Sequence, residues 1–159
     1  MEEVTNDTAA RILGQNRIMA ISTVRPDGWP QTTIVGYANE GLSLFFLIFR
    51  SSQKFSNIES NDRVSIAVGK EPPDLRLAEA VYAGAIATEV TSPAERDHAW
   101  RLLVQRHPIL LGSPEPDWSQ VAAMRADCLH LSVVDYSRGI GHTDALHVAT
   151  PDGASAIKE

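Results

Sequence analysis

The sequence predicts a mainly β fold, a small antiparallel barrel with helices packed on its outside, and three observations carry that reading. Short turns with no helix between them join three early strands. Helical spacing appears only in isolated stretches: at the start, after the third strand, and once before the last strand. The resulting order is helix, three strands, short helix, two strands, helix, strand. That excludes a doubly wound α/β fold, in which strands and helices alternate throughout.

A first helix is expected over roughly Asp7 to Gln15, with Asn6 as its cap and Gly14 near its end. Ile18 to Thr23 alternates as a strand of mixed burial. Pro26-Asp27-Gly28 is a turn, since proline presets φ and glycine accepts positive φ. Gln31-Thr32-Thr33-Ile34-Val35, rich in β-branched residues, forms the second strand. Asn39-Glu40-Gly41 turns the chain into a third, Leu42 to Phe49, apolar enough to be buried on both faces. These three are expected to form a meander.

Ser51 to Ile58 changes to helical spacing behind capping serines, and Arg63 to Val68 returns to strand. Ala80 to Val90 is a fifth strand interrupted by Gly84. Ser92-Pro93-Ala94-Glu95 starts a helix with a cap, an N1 proline and the glutamate of a capping box. A short helix is expected near Trp118 to Arg125, and a last strand over Leu129 to Tyr136. One domain is expected over residues 1–150, with 151–159 a frayed tail.

Composition narrows the function. Hydrophobic residues make 43% and charged residues 21%, ordinary values for a chain with a packed core. The net charge of -6 argues against a nucleic-acid partner, which demands a basic surface. No apolar run is long enough to span a bilayer, and the acidic Met1 to Asp7 is unlike a secretory signal, so a cytoplasmic location is expected. The lone Cys128 builds neither a disulfide framework nor a cysteine zinc site. It shares an expected strand face with His130, where a small core residue is the simpler reading. His142, Asp144 and His147 have spacing that suits no common face, so no metal site is expected.

Chemistry concentrates where the third strand runs into a helix start: Phe46-Leu47-Ile48-Phe49-Arg50-Ser51-Ser52-Gln53-Lys54. Free amides and the positive end of the helix dipole favour a phosphate there. Ser51, Ser52 and Gln53 donate hydrogen bonds, and Arg50 and Lys54 supply charge. A plain capped helix with exposed basic side chains fits the same residues. Tyr136-Ser137-Arg138-Gly139-Ile140-Gly141-His142 is a second candidate, whose glycines permit close backbone approach and whose Tyr136, Arg138 and His142 are within reach of a ligand, although an ordinary strand end followed by a glycine turn fits the same residues.

Pro30-Gln31, Phe45-Phe46, Ser52-Gln53-Lys54, Asn57-Ile58 and Asn61-Asp62-Arg63-Val64-Ser65 occur in that order. This ordered set resembles the FMN-binding split-barrel family that includes pyridoxamine 5'-phosphate oxidase. The resemblance implies a six-stranded Greek-key barrel and a homodimer sharing flavin sites across its interface. It implies that Arg50, Ser52, Gln53 and Lys54 hold the FMN phosphate, that the backbone at Leu47 and Ile48 lines the ribityl chain, and that Thr32, Thr33, Ile34 and Val35 run beside the ring. Arginine is common in the family where Gln53 stands, and an uncharged amide holds phosphate less firmly. The arginine- and histidine-bearing C-terminal segment of the namesake oxidases has no counterpart, which implies another substrate. The function implied is an oxidoreductase passing hydride or electrons between a reduced nicotinamide or small organic substrate and an acceptor. A non-catalytic FMN- or haem-binding protein and a deazaflavin-dependent reductase are the alternatives.

Overall fold

Eight strands form one curled antiparallel sheet, and the computed structural model describes residues 3–148 of the chain. The 151–159 tail lies outside the described residues. In chain order the elements are α1 (Asn6–Gly14), β1 (Ile18–Val24), β2 (Pro30–Gly36), β3 (Ala38–Glu40), β4 (Ser43–Phe49), α2 (Gln53–Ser60), β5 (Arg63–Gly69), β6 (Glu79–Glu89), α3 (Pro93–Arg106), β7 (Val121–Asp135) and β8 (Thr143–His147). The sheet runs β2-β1-β5-β6-β7-β4-β3, with β8 beside β7.

Two expectations give way: the count of six strands and the three-stranded meander. β4 pairs with β7 along its whole length and with β3 only at Ser43 to Phe45, not with β2. β2 bends at Tyr37 into β3, so the two ends of the sheet belong to one continuous stretch of chain. Where β2 splays from β4, α2 fills the gap: Asn57 reaches Thr23 on β1 and Gln31 at the start of β2. That gap is the split of the barrel.

The expected helix at 118–125 is strand from Val121 onward. Its Ala-Ala-Met-Arg-Ala run favours helix in isolation, but pairing with β4 on one side and β6 on the other overrides propensity. β8 has no counterpart in the expected order of elements. α1 is capped by Thr5, with Thr8 reciprocating, rather than by Asn6. Ser92 caps α3 as expected, while the Glu95 carboxylate turns away to pair with Arg125.

Leu44, Phe46 and Ile48 point into the main core with Met19, Ile21, Ile66, Val81 and Met124. Phe45 points outward and is buried by Ala99 of α3 together with Val90 and Ala123. The second face of β4 is therefore covered within the chain at Phe45, while Phe49 at the strand's end stays 66% exposed. Among the described residues no helix is long and apolar enough to cross a membrane.

Register between β6 and β7 shifts at Gly84/Ala85, so β7 carries an extra residue at Leu129. Met124, Ala126 and Cys128 face inward before the shift, and Leu131 and Val133 face inward after it. Cys128 and His130 consequently lie on opposite faces, against the expectation that they share one: Cys128 is buried and His130 is exposed.

Candidate functional site

The β4–α2 junction is built by a strand that cannot continue. After Phe49 the chain turns, and Ser52 takes the helix cap: its Oγ accepts from the Phe55 amide at 3.3 Å and donates to the Phe49 carbonyl at 2.7 Å. The first helical hydrogen bond runs from Ser56 to Ser52, so the Gln53 and Lys54 amides precede it and point out of the helix end. Lys54 is half-buried and forms no ion pair among the described residues. Ser51 is exposed in the turn.

Arg50 and Gln53 are differently placed from what a phosphate clamp requires. The Arg50 guanidinium meets Glu89 at 2.5 Å, donates to the Trp118 carbonyl at 3.0 Å and stacks 5.7 Å above the Phe55 ring. Its charge is already compensated. The Gln53 amide donates to Asn57 Oδ1 at 2.8 Å, part of a chain of hydrogen bonds running to Thr23 and Gln31.

Beside this junction, the β4 edge beyond Phe45 is paired with β7 alone, leaving its other edge toward β2 without a strand. Leu47 packs under α3 and Ile48 enters the core, so their backbone rather than their side chains is what they offer to a ligand. On β2 the four expected residues divide by face. Thr32 and Ile34 point outward: the Thr32 hydroxyl bonds Ser22 Oγ at 2.7 Å, and Ile34 is 64% exposed. Val35 packs on the core, and Thr33 Oγ1 is buried without a hydrogen-bond partner among the described residues. A buried hydroxyl left unpaired is costly, so this oxygen is open to a further hydrogen-bond partner.

Three clefts open on the surface, two on the outer sheet face and one beside α1, where inward-facing Val133 contributes to the lining. The first, about 470 Å³, brings Ile34 and Tyr136 together with Lys70, Tyr82 and a floor of small residues including Ala20, Ala67 and Ala80. The second, about 560 Å³, holds His142 with Arg138 and Arg11, opposed by Glu3, Glu79 and Asp135. Asp144, outside the lining, accepts from His142 Nε2 at 2.9 Å and from Arg138 at 3.0 Å. Tyr136 and His142 thus face different clefts, and neither cleft is lined by the 50–54 stretch. The third, about 650 Å³, lies across Tyr82 from the first and holds Arg63, Ser65 and His130. Sequence reasoning passes over it, because its residues come from separate strands and only the bulge in β7 turns His130 outward.

Burial sets the chemistry of the lone cysteine. The Cys128 thiol is pushed up to about 12, chiefly by desolvation and then by Asp127, so it is no nucleophile at neutral pH. Among the described residues no group of three or more His, Cys, Asp or Glu is arranged to hold a metal.

The family model described as Pyridoxamine 5'-phosphate oxidase matches residues 5–129. No curated protein matches the sequence. Among solved structures, the heme binding protein of Mycobacterium smegmatis superposes with a TM-score of 0.76 at 16% identity, over 92% of this chain and 60% of its own. A FAD-binding protein of Mesorhizobium loti gives 0.66 at 20% identity, over 82% and 94%. The heme storage protein of Vibrio cholerae gives 0.63 at 17%, over 77% and 88%. Identities this low carry the fold and nothing finer.

Proposed function

The chain belongs to the pyridoxamine 5'-phosphate oxidase family, and from that membership together with the β4–α2 junction we propose that it is an FMN-binding flavoprotein, active as a homodimer with flavin sites at the interface. The observation that carries the reading is the conjunction at the barrel split: the unengaged Lys54 and free helix-end amides stand beside an unpaired strand edge. The orphaned Thr33 hydroxyl lies on the strand that faces this edge. These residues fit the cofactor. Lys54, Ser52 and the Gln53 and Lys54 amides would hold the phosphate. Backbone at Leu47 and Ile48 would follow the ribityl chain, and Thr32 to Val35 would flank the ring. Arg50 would contribute little, because Glu89 compensates its charge.

When bound, FMN supplies acceptance of a hydride from a reduced nicotinamide or small organic substrate and delivery of electrons to an acceptor. The chain's own residues do the rest: they position, desolvate and neutralise, which is why an oxidoreductase role requires no acid–base pair among them. Ile18 and Ile34, 56% and 64% exposed on neighbouring strands, form with Leu75 and half-exposed Tyr82 the apolar shelf we assign to the second copy. We place the protein in the cytoplasm, acting on a small molecule.

Quenching of free FMN fluorescence by titrated protein tests the reading. Binding that weakens about tenfold in Lys54→Ala, as loss of one charge-assisted contact dictates, supports it. Absence of quenching by the wild-type protein overturns it. A haem reading is favoured by a separate observation: His130 and His147 are cross-strand partners, both exposed. A Soret shift on haem titration that is lost in His130→Ala would decide for it.

A further inference from the structure

Register aligns six residues from six strands in one row across the sheet: Thr32, Ser22, Ser65, Gly84, His130 and His147. The row crosses the outer face, and its middle forms the floor of the 650 Å³ cleft. Gly84 is small for a reason. A Cβ there would coincide with the His130 imidazole, whose Cε1 lies 2.6 Å from that position. The ring therefore lies across β6, with Nε2 reaching from β7 toward the β5 side, where Ser65 stands directly opposite Gly84. The bulge at Leu129 is what turns this imidazole outward, in keeping with the habit of bulges to re-aim single side chains.

Charge separates this cleft from its neighbours. Arg63, on the same face of β5 and opposite Ile86, forms no ion pair among the described residues. Among those residues no aspartate or glutamate lines the cleft, although the chain carries a net charge of -6. The cleft across Tyr82 sets Glu71 and Glu79 against its Lys70, and the one at His142 is opposed by three carboxylates. Walls of Ile86, Val24, Pro30 and Tyr82 add apolar surface around the basic and hydroxyl groups.

We propose that this cleft is a binding site for a small organic anion, a carboxylate or phosphate ester on a flat apolar body. The oxyanion sits between the Arg63 guanidinium and His130 Nε2, with the Ser65 and Ser22 hydroxyls as further donors. The body lies against Tyr82 and Ile86. This site stands apart from the α2 start and does not depend on the flavin reading.

The test is an amide-resolved NMR titration of the full chain with benzoate and with phenyl phosphate, using benzyl alcohol as the uncharged control. Expected are saturable shifts at Ser65, Gly84 and Tyr82 with dissociation constants of about 1 mM for at least one anion, the pair distinguishing carboxylate from phosphate. Arg63→Ala, an exposed position that leaves the core intact, weakens binding about tenfold, and Lys54→Ala leaves it unchanged. Gly84→Ala, which displaces the imidazole, weakens it as well. Shifts of the same size with benzyl alcohol, no saturable shift with either anion, or undiminished affinity in Arg63→Ala would overturn the proposal. So would loss of FMN quenching in Arg63→Ala, which would make the cleft part of the flavin site.

Discussion

Asn57, fully buried in α2, donates its side-chain amide to Thr23 Oγ1 on β1 at 3.0 Å. The same amide reaches Gln31 Oε1 at 3.2 Å, and its carbonyl accepts from Gln53 at 2.8 Å. One side chain thereby ties the helix that fills the barrel split to both strands beside it. Replacing it with alanine leaves the buried Thr23 hydroxyl without this donor and opens a small void. A loss of about 3 kcal/mol is expected, read as a lower urea midpoint at unchanged m-value. Because α2 carries Ser52 and Lys54, FMN affinity should fall in the same variant without any change to a ligand-holding side chain.

The Arg50–Glu89 pair makes an opposite prediction, a gain. Glu89 compensates the one guanidinium next to the helix start. Both partners are about three-tenths exposed, so the pair adds little to stability. Glu89→Gln frees the charge of Arg50 while keeping a hydrogen-bonding side chain of the same shape. FMN should bind several-fold more tightly, by about the value of one added charge interaction at a partly exposed site. Unchanged affinity would mean that Arg50 lies out of reach of the phosphate.

Alkaline stability should decline in two stages. Burial raises Cys128 from 9.0 to about 12 and raises Tyr37 beyond the ordinary phenol range, desolvation leading in both. A group that ionises more readily unfolded than folded contributes no pH dependence below its unfolded value. Above it, the unfolded chain sheds a proton that the folded chain keeps, and stability falls by about 1.4 kcal/mol per pH unit for each such group. The decline should begin near pH 9 with Cys128 and steepen above pH 10 as Tyr37 joins. Denaturant midpoints measured from pH 7 to 11 follow it. Cys128→Ala should remove the first stage and leave the second, and native Cys128 should resist iodoacetamide at pH 8.

Local features are legible in the sequence and long-range ones are not. Ser92 and Pro93, Ser52, and the turn ending at Gly28 with φ 83° all declare themselves within a few residues. The pairing of β4 is hidden because Asn39-Glu40-Gly41 does turn the chain, but from β3 rather than from β2. The first half of β7 hides behind helix-forming alanines, and β8, Thr-Asp-Ala-Leu-His, buries only one face of a short edge. Lys54 and Ser52 are visible as a helix start. The neutralisation of Arg50 by Glu89, and the row running from Thr32 to His147, depend on strand register, which no local pattern encodes.

The proposed dimer gives the remaining prediction. α3 covers Phe45 on the outer side of β4, and across the sheet Ile18, Ile34 and Tyr82 stand together on β1, β2 and β6 around a floor of Ala20, Ala67 and Ala80. Burying one isoleucine is worth about 2 kcal/mol, and a two-fold interface counts each substitution twice. Ile18→Glu, at a shelf position with no part in holding the flavin, should therefore raise the dimer dissociation constant about a thousandfold, and sedimentation at micromolar concentration should show a dimer for the wild type and a monomer for the variant. The residue is too exposed for the folded monomer to suffer, so circular dichroism and the urea midpoint at low concentration should hold. If flavin sites are shared, FMN quenching should collapse together with the dimer. A monomeric variant that still quenches FMN fully would place the whole site within one chain, with Thr33 and Lys54 sufficient to hold it.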